Sequence, residues 1–470
     1  MRKTGTRDEA RFSRGKKEGA AMSGEMLSSR LARYVCGATF NDLHADHVAK
    51  MKGFLLDWLG SAYAGMDLPP IRMMRKVARS LGGTPEATSI PDGIKTNCLL
   101  ASLVNGASSH IVEMDDLHRQ SILHPAAAIL PATLAAGERE GVSGKDLIVA
   151  ISAGYEVGIR VALAVGPSHY RFWHATATCG TFGAAAASAK LLHLNEDQFA
   201  WAIGSAGTQA AGLWEFLGES AMSKQLHAGK AAMNGLLAAL LAKEGFTGAR
   251  GILEGEKGFF RATSEDFDER ICIADLGTVF HSERNSIKYH ASCGHTHSAI
   301  DAVLLATGGK TLMPAEVGAV DLFIYQAAID LLEKIDPKTP YLAKFSLPFC
   351  VATALRYGRV QLEDFTSERL EDEDLIQLMK KVKIVGDADL TRAYPRAWPA
   401  RVTITLNDGR RLDAANEYPK GDPENPLSER ELIAKFKSLT GGMLPSARAD
   451  AIVDRVMSLE SMGNVNELLK

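Results

Sequence analysis

The sequence predicts a mainly α fold, in which a large all-helical domain carries an inserted, smaller α+β lid domain. Apolar side chains recur at i, i+3 and i+4 spacing throughout residues 27–255, a pattern typical of packed helices. After about residue 275, runs rich in β-branched residues predict strands. From Ser428 the helical pattern returns, so we expect the last segment to rejoin the helical domain.

The first part of the chain is predicted to form a bundle of helices. The periodicity places them at residues 47–65, 96–113, 125–140, 145–165, 180–192, 196–209 and 227–244. Several faces consist mainly of Ala and Gly, as in residues 183–189 and 231–242, and small side chains let helices approach closely.

The lid is predicted from strands at residues 317–325, 381–385, 401–406 and 410–414, with helices near 296–305 and 346–357. Asp408-Gly409 between the last two strands is a hairpin signal. Ser428 and Glu431 have the spacing of a capping box, which begins a helix. We therefore divide the chain into a disordered extension (1–21), a large helical domain (22–275), the lid (276–419) and C-terminal helices (420–470). A cleft between domains is a favoured ligand site.

Composition narrows the range of functions. The chain of 470 residues is 46% apolar and 23% charged, with a net charge of −3, which is typical of a globular protein and excludes a general affinity for nucleic acids. The apolar run at residues 229–242 is short of the roughly 20 residues that span a membrane. Six cysteines without a CxxC pair indicate reduced thiols, so we expect a cytoplasmic protein. The net charge and the short apolar run predict that it has no nucleic-acid or membrane partner.

The polar residues that suggest chemistry occur in four segments, of which residues 110–125 are the first. This segment holds the acids Glu113, Asp115 and Asp116 and the histidines His118 and His124. Pro125 suits the first position of a helix, which would leave His124 at the positive helix end where anions collect. A capped, solvated loop explains any one of these residues, but the cluster favours a functional site.

Two further segments offer groups that move protons. Tyr170 and His174 precede an alanine-rich helix; the alternative is an aromatic plug with a core histidine. Lys224 precedes the helix predicted at 227–244. A lysine at such a position is usually a surface charge. Its apolar surroundings would instead desolvate the amine and lower its pKa towards that of a general base.

The fourth segment, residues 287–297, combines Lys288 and Cys293 with His290, His295 and His297. A His-x-His pattern is a weak metal signal, and neither HExxH nor paired cysteines support it. The sequence also lacks a P-loop, a dinucleotide-binding glycine motif in its proper context and a GxSxG nucleophile elbow. We therefore expect neither a metal nor another cofactor.

These segments, in this order, resemble the MmgE/PrpD family, which includes 2-methylcitrate dehydratase, cis-aconitate decarboxylase and iminodisuccinate epimerase. The matching segments are residues 105–110, 115–116, 124–125, 154–156, 174–184, 224–229, 232–235, 288–297, 344–346 and 421–427. The resemblance implies a helical domain with a smaller lid, and a homodimer. It also implies that the family's site lies between the domains.

By this resemblance, the catalytic candidates are Lys224, His124, His174, His297 and Tyr170, although the spacing around Tyr170 differs by one residue. The candidates for substrate binding are Glu113, Asp115, Asp116, His118 and Lys288. Two positions depart from the family, since Glu113 replaces its aspartate and Leu117 its threonine. Both positions line the decarboxylase site, so the acid that serves as substrate stays open.

The resemblance implies a cofactor-independent lyase that acts on a small di- or tricarboxylate. Such enzymes need cations to hold carboxylates, a base for a carbon-bound proton and an opposing acid. Our first expectation is a dehydratase like 2-methylcitrate dehydratase. The alternatives are an epimerase or racemase, in which Lys224 works with Tyr170 or a histidine, a decarboxylase on a related acid, or a non-catalytic polycarboxylate-binding protein.

Overall fold

The computed structural model describes residues 24–90, 92–219, 221–332 and 336–470. The extension predicted at residues 1–21 lies outside them. Within the described residues the chain is mainly helical and has two small sheets, which confirms the predicted fold class.

Helices from the first part of the chain and from its last part form the larger body. They are α1 (Leu27–Gly37), α2 (Ala45–Ala64), α3 (Pro69–Leu81), α4 (Cys98–Ile111), α5 (Pro125–Glu140), α6 (Gly144–Val165), α7 (Ala175–Leu191), α8 (Glu196–Gly207), α9 (Phe216–Glu219), α10 (Ser223–Lys243) and α11 (Phe259–Thr263). A short hairpin, β1 (Ala87–Ser89) with β2 (Ile94–Thr96), precedes α4.

The lid follows, and the last helices return to the larger body. The lid contains α12 (Gly294–Thr307), β3 (Val317–Ile324), α13 (Gln326–Leu332), α14 (Pro340–Ala343), α15 (Leu347–Tyr357), α16 (Ser367–Leu370), α17 (Glu373–Met379), β4 (Val382–Gly386), α18 (Ala388–Ala393), β5 (Ala400–Leu406) and β6 (Arg411–Asn416). The returning helices are α19 (Glu429–Thr440) and α20 (Ser446–Met457). The Ser428–Glu431 capping box that begins α19 is present as predicted.

Two helices begin earlier than the sequence predicts. Helix α7 begins at Ala175 rather than at residue 180, and α10 begins at Ser223 rather than at 227. Threonines lower the helical propensity at the start of α7. In the structure, however, the hydroxyl of Thr181 donates to the carbonyl of Ala177 (2.8 Å), and every residue of α7 except Lys190 is buried. As a result, Lys224 lies in the first turn of α10 rather than before it.

The core of the larger body draws on both parts of the chain. The buried side chains of Trp58, Tyr155 and Phe182 share one apolar cluster with Phe436 and Leu468 from the returning segment. The body packs closely where small residues meet. A Cβ on Gly229 of α10 would lie 2.2 Å from the carbonyl oxygen of Leu103 in α4, so only glycine fits there.

The lid is built on a four-stranded sheet with the order β4-β3-β5-β6. Strands β3 and β4 are parallel, the other pairs are antiparallel, and β5 and β6 form the predicted hairpin. Its apolar cluster includes Val104, Ala107 and Ile111 from α4. Helix α4 therefore packs against both bodies, and the loop that follows it lies between them.

One helix in the described part of the chain, α6, is long and apolar enough to cross a membrane. It is 94% buried inside the protein in its most apolar window, and core helices of soluble proteins pass the same test. The sequence-based expectation rested on the apolar run at residues 229–242, but α6 is the stronger candidate for a membrane span. The burial of α6 identifies it as a core helix.

Candidate active site

Most of the predicted site residues surround a small cavity between the helical body and the lid. This inner cavity measures about 30 Å³, room for one or two water molecules. A groove of about 410 Å³ adjoins it. Six residues line both spaces and form an entrance ring: Ile122, Tyr170, Trp214, Leu217, His295 and Leu331. The described arrangement is therefore closed around the site.

Glu113 lies at the centre of the charged groups in the inner cavity. Its Oε1 accepts hydrogen bonds from Lys224 Nζ and from the hydroxyl of Tyr341 (3.2 Å), and its Oε2 accepts one from Lys288 Nζ (3.1 Å). Burial opposes ionisation of this carboxyl, but the two ammonium groups outweigh it and hold the pKa of Glu113 well below its usual range. Burial would also lower the pKa of Lys288, but the carboxylates of Glu113 and Asp115 raise it above its ordinary value.

The backbone around Glu113 is held in an unusual conformation. Glu113 has a φ of 57°, in the left-handed region that non-glycine residues rarely adopt. Lys344 Nζ from the lid donates to the carbonyls of Val112 and Ala291, both at 2.9 Å. Lys435 Nζ from α19 donates to the carbonyl of Met114 (2.7 Å) and pairs with a buried aspartate. The side chains of two buried lysines thus hold the carbonyls on both sides of Glu113.

Behind Glu113, Asp115 joins two histidines into a His–Asp–His cluster (His110, Asp115 and His124). Asp115 Oδ2 accepts from His110 Nδ1 at 2.6 Å and lies 3.3 Å from His124 Nδ1. His124 is the N-cap residue of α5, as the following proline predicts, and its Nδ1 donates to the carbonyl of Asp116 (2.7 Å). Burial lowers the pKa of His124 to about 4, so its ring is neutral at pH 7.

Ligand atoms of this cluster all lie within 4.8 Å of one another, as do those of His44, His47 and Glu283. Both groups have enough histidine and carboxylate donors for a metal ion. Hydrogen bonds already occupy ring nitrogens in each group, however. His124 Nδ1 donates to a carbonyl, and His44 Nδ1 accepts from the backbone N–H of His47 (3.2 Å). That no metal is needed stays a prediction.

His174 and Tyr170 complete the wall of the inner cavity. His174 is the N-cap residue of α7, and its Nδ1 lies 3.2 Å from Nδ1 of His227 in α10. Burial holds the pKa of His174 well below its ordinary value, so the ring is neutral. The ring of Tyr170 meets that of Trp214 edge to face at 4.9 Å, and burial holds its pKa well above the usual range.

Three of the predicted site residues lie away from the inner cavity. Asp116 accepts from the backbone N–H of Ala126 (2.9 Å) and the hydroxyl of Tyr155 (2.8 Å), so it caps the start of α5. His118 Nδ1 is bonded to the Ser121 hydroxyl (2.8 Å). His297 lines a separate cavity of about 20 Å³. Their contacts indicate that they position the loops around the site.

The site also includes residues that sequence reasoning did not name. Tyr341 donates to Glu113. The inner cavity itself is also lined by Phe345, whose ring lies 4.9 Å from Lys224 Nζ, and by Trp398, whose ring stacks at 4.2 Å on that of His295, a histidine of the fourth segment. Phe345 belongs to the segment 344–346, which resembles the family, so the sequence could have identified it. Tyr341 lies in a four-residue helix with no periodic pattern, and only the fold brings it to Glu113.

Comparison with known proteins gives matches along most of the chain. The MmgE/PrpD N-terminal domain model matches residues 29–271, and the C-terminal domain model matches 290–459. A cis-aconitate decarboxylase-like protein of Aspergillus oryzae is 29% identical over 94% of this chain and 96% of its own. Cis-aconitate decarboxylase of Aspergillus terreus is 27% identical over 94% and 95%. The 2-methylcitrate dehydratase of Salmonella typhimurium is 25% identical over 60% and 61%.

Proposed function

Because the chain belongs to the MmgE/PrpD family, we propose that it is a lyase that acts without a cofactor on a small di- or tricarboxylic acid. One observation carries the proposal. Lys224, Lys288 and the Tyr341 hydroxyl converge on a single buried carboxylate, that of Glu113. Donors arranged in this way hold carboxylates and stabilise negative charge that develops beside them.

Substrate binding requires this closed arrangement to change. The inner cavity of about 30 Å³ is too small for a di- or tricarboxylic acid, whereas the adjoining groove of about 410 Å³ has the size of an ordinary ligand pocket. We infer that the acid enters through the entrance ring. One of its carboxylates then shares or takes over the donors that Glu113 now occupies.

The neutral histidines supply the proton chemistry in this proposal. In a decarboxylation, the bond between carbon and the leaving carboxylate breaks, CO2 departs and the electron pair stays on the substrate, which then takes up a proton at carbon. In a dehydration, a base takes a proton from carbon and an acid protonates the departing hydroxyl. His174 and His124, both neutral at the cavity wall, suit either exchange, while Lys224 and Lys288 stabilise the negative charge.

We place decarboxylation of a tricarboxylate first, because relatives that match over nearly the whole chain bear the name cis-aconitate decarboxylase. Dehydration, which was the first expectation from sequence, is the second candidate. It is supported by the similarity to 2-methylcitrate dehydratase over part of the chain. Glu113 and Leu117 line the cavity at positions that depart from the family, so a related acid is part of the proposal.

We further propose a cytoplasmic homodimer. All six cysteines are free, which suits a reducing compartment. Three large apolar side chains of α3 are exposed at i, i+4 and i+8 spacing, on one face of the helix: Met73, Val77 and Leu81. Exposed apolar groups of this size suit a contact between subunits. Light scattering should give twice the chain mass of 50.5 kDa, and a monomer at micromolar concentration would contradict the proposal.

The test is a panel of di- and tricarboxylic acids, screened by thermal shift and then incubated with the protein in deuterated water. A decarboxylase releases CO2 and places one deuterium in the product. A dehydratase yields an alkene that absorbs in the ultraviolet, and an epimerase returns deuterium in recovered substrate. Binding of an acid without any of these changes would mean a binding protein and would refute the lyase proposal.

A further inference from the structure

A proton transfer in the closed cavity imposes a condition on His174. Its ring is 1% exposed, and its Nδ1 faces His227, which leaves Nε2 as the nitrogen available to the cavity. A neutral imidazole is a far weaker acid than an imidazolium. His174 can therefore give up its Nε2 proton only if its Nδ1 gains one in the same step.

The partner that would supply that proton is His227. It lies in α10 one turn after Lys224, and the two Nδ1 atoms are 3.2 Å apart, within hydrogen-bond distance. Burial also lowers the pKa of His227, to about 4, so both rings are neutral. In such a pair one Nδ1–H donates to the other Nδ1, and the hydrogen between them is shared.

His227 also reaches towards the surface, which His174 does not. The residue is 8% exposed, and its neighbour Leu226 is 46% exposed. Gly212 makes the pairing possible, because a Cβ at this position would lie 3.2 Å from His227 Nδ1 and 2.4 Å from the Cβ of Ala177. The geometry therefore links the inner cavity to solvent through two imidazole rings.

We propose that His227 is a proton relay that acts through His174, an inference that rests on the proposed lyase function. When His174 gives its Nε2 proton to the substrate carbon, the Nδ1 proton of His227 passes to His174 Nδ1. His227 then takes up a solvent proton at Nε2. One proton enters from water for each proton delivered, and the two rings are left with their tautomers exchanged. When the cavity opens to release product, His174 takes a proton from water at Nε2, its Nδ1 proton returns to His227 Nδ1, and His227 returns its Nε2 proton to solvent, which restores the starting state. The same chain runs in the opposite order when His174 removes a proton. His227 is thus a positioning residue for proton transfer and does not touch the substrate.

The test compares His227→Ala and His227→Gln with the wild type, on an acid that the wild type turns over. The alanine variant leaves a gap near the surface that free imidazole can fill, whereas glutamine keeps a hydrogen bond but cannot pass a proton. We expect both variants to lose about 10²-fold in kcat with little change in KM. Added imidazole should restore the alanine variant and not the glutamine variant. Leu226→Ala, on the same turn, is the matched control and should keep its kcat.

A measurement without turnover separates this proposal from the lyase proposal. With histidine labelled by ¹⁵N, the shared hydrogen should give a downfield N–H signal in the wild type that disappears in either His227 variant. A folded His227→Ala protein with kcat within twofold of the wild type would overturn the relay, as would a loss that imidazole does not restore. If the wild type turns over no acid in the panel, the lyase proposal fails, and the ¹⁵N signal alone then decides whether the hydrogen-bonded pair exists.

Discussion

Replacing Lys224 by methionine tests the role of the charged centre. The change removes the ammonium group that donates to Glu113 Oε1 and keeps a side chain of similar length. Removing one partner of a buried ion pair costs about 3–5 kcal/mol when the other charge is left alone. Glu113 keeps Lys288 at 3.1 Å and Tyr341 at 3.2 Å, so we expect a smaller loss of about 1–3 kcal/mol in the free energy of unfolding.

Turnover should fall much further than stability. Loss of a positioned donor or proton carrier typically lowers the rate about 10²–10⁴-fold. The assay is kcat/KM on the acid identified in the panel, together with urea unfolding of the same preparations. Lys243→Met is the matched control, because Lys243 lies at the exposed end of the same helix. It should change stability by no more than about 0.5 kcal/mol and leave turnover unchanged.

A second variant separates charge pairing from catalysis. In Lys224→Met, the carboxylates of Glu113 and Asp115 share the single ammonium group of Lys288. Adding Glu113→Gln replaces one of these carboxylates by a neutral amide, and Lys288 keeps Asp115 at 4.0 Å. Stability should recover most of what the single change lost, and turnover should stay low. Near-normal kcat/KM in a folded Lys224→Met protein would refute the reasoning, because Lys224 would then not stabilise the charge that develops on the substrate.

Three further outcomes are expected. Burial lowers the pKa of Lys344 from an ordinary 10.5 to about 7. Between pH 7 and pH 10.5, the unfolded chain therefore binds a proton at Lys344 that the folded protein lacks. Stability should therefore rise with pH over this range, and urea titrations at pH 7 and pH 9.5 should show that Lys344→Met loses this contribution. Gly229→Ala should lose about 1–3 kcal/mol, since its Cβ would meet a carbonyl at 2.2 Å, whereas Gly37→Ala, which has open space, should be neutral by thermal melting. Dialysis against a chelator should leave turnover intact; activity that returns only with one added ion would show that the His–Asp–His cluster holds a metal.

Local signals predicted the parts of the fold that depend on neighbouring residues. The Asp408-Gly409 turn, the capping box at Ser428 and the proline after His124 each specify a conformation within a few residues, and each is present. The start of α7 was missed, because threonine propensity argues against a helix there and burial overrides it.

The candidate site was predictable only in part, because some of its contacts join residues that lie far apart in the sequence. Sequence indicated that Glu113, Lys224 and Lys288 belong together, and they meet around one carboxylate. It gave no sign of Tyr341, which reaches Glu113 across 228 positions of the chain. By the resemblance, His297 was expected at the same cavity, but in α12 it lines the separate cavity of about 20 Å³.

The contact between Lys435 and Met114 has a consequence for biosynthesis. The carbonyl beside Glu113 gains its ammonium partner only when α19 docks, and the ribosome makes α19 after the lid and the earlier helices. The four strands of the lid sheet, by contrast, all lie between residues 317 and 416, upstream of α19. A nascent chain can therefore pair these strands while the helical body still exposes the surface that Phe436 and Leu468 will cover. The candidate site is therefore complete only after α19 has been made and has docked onto the helical body.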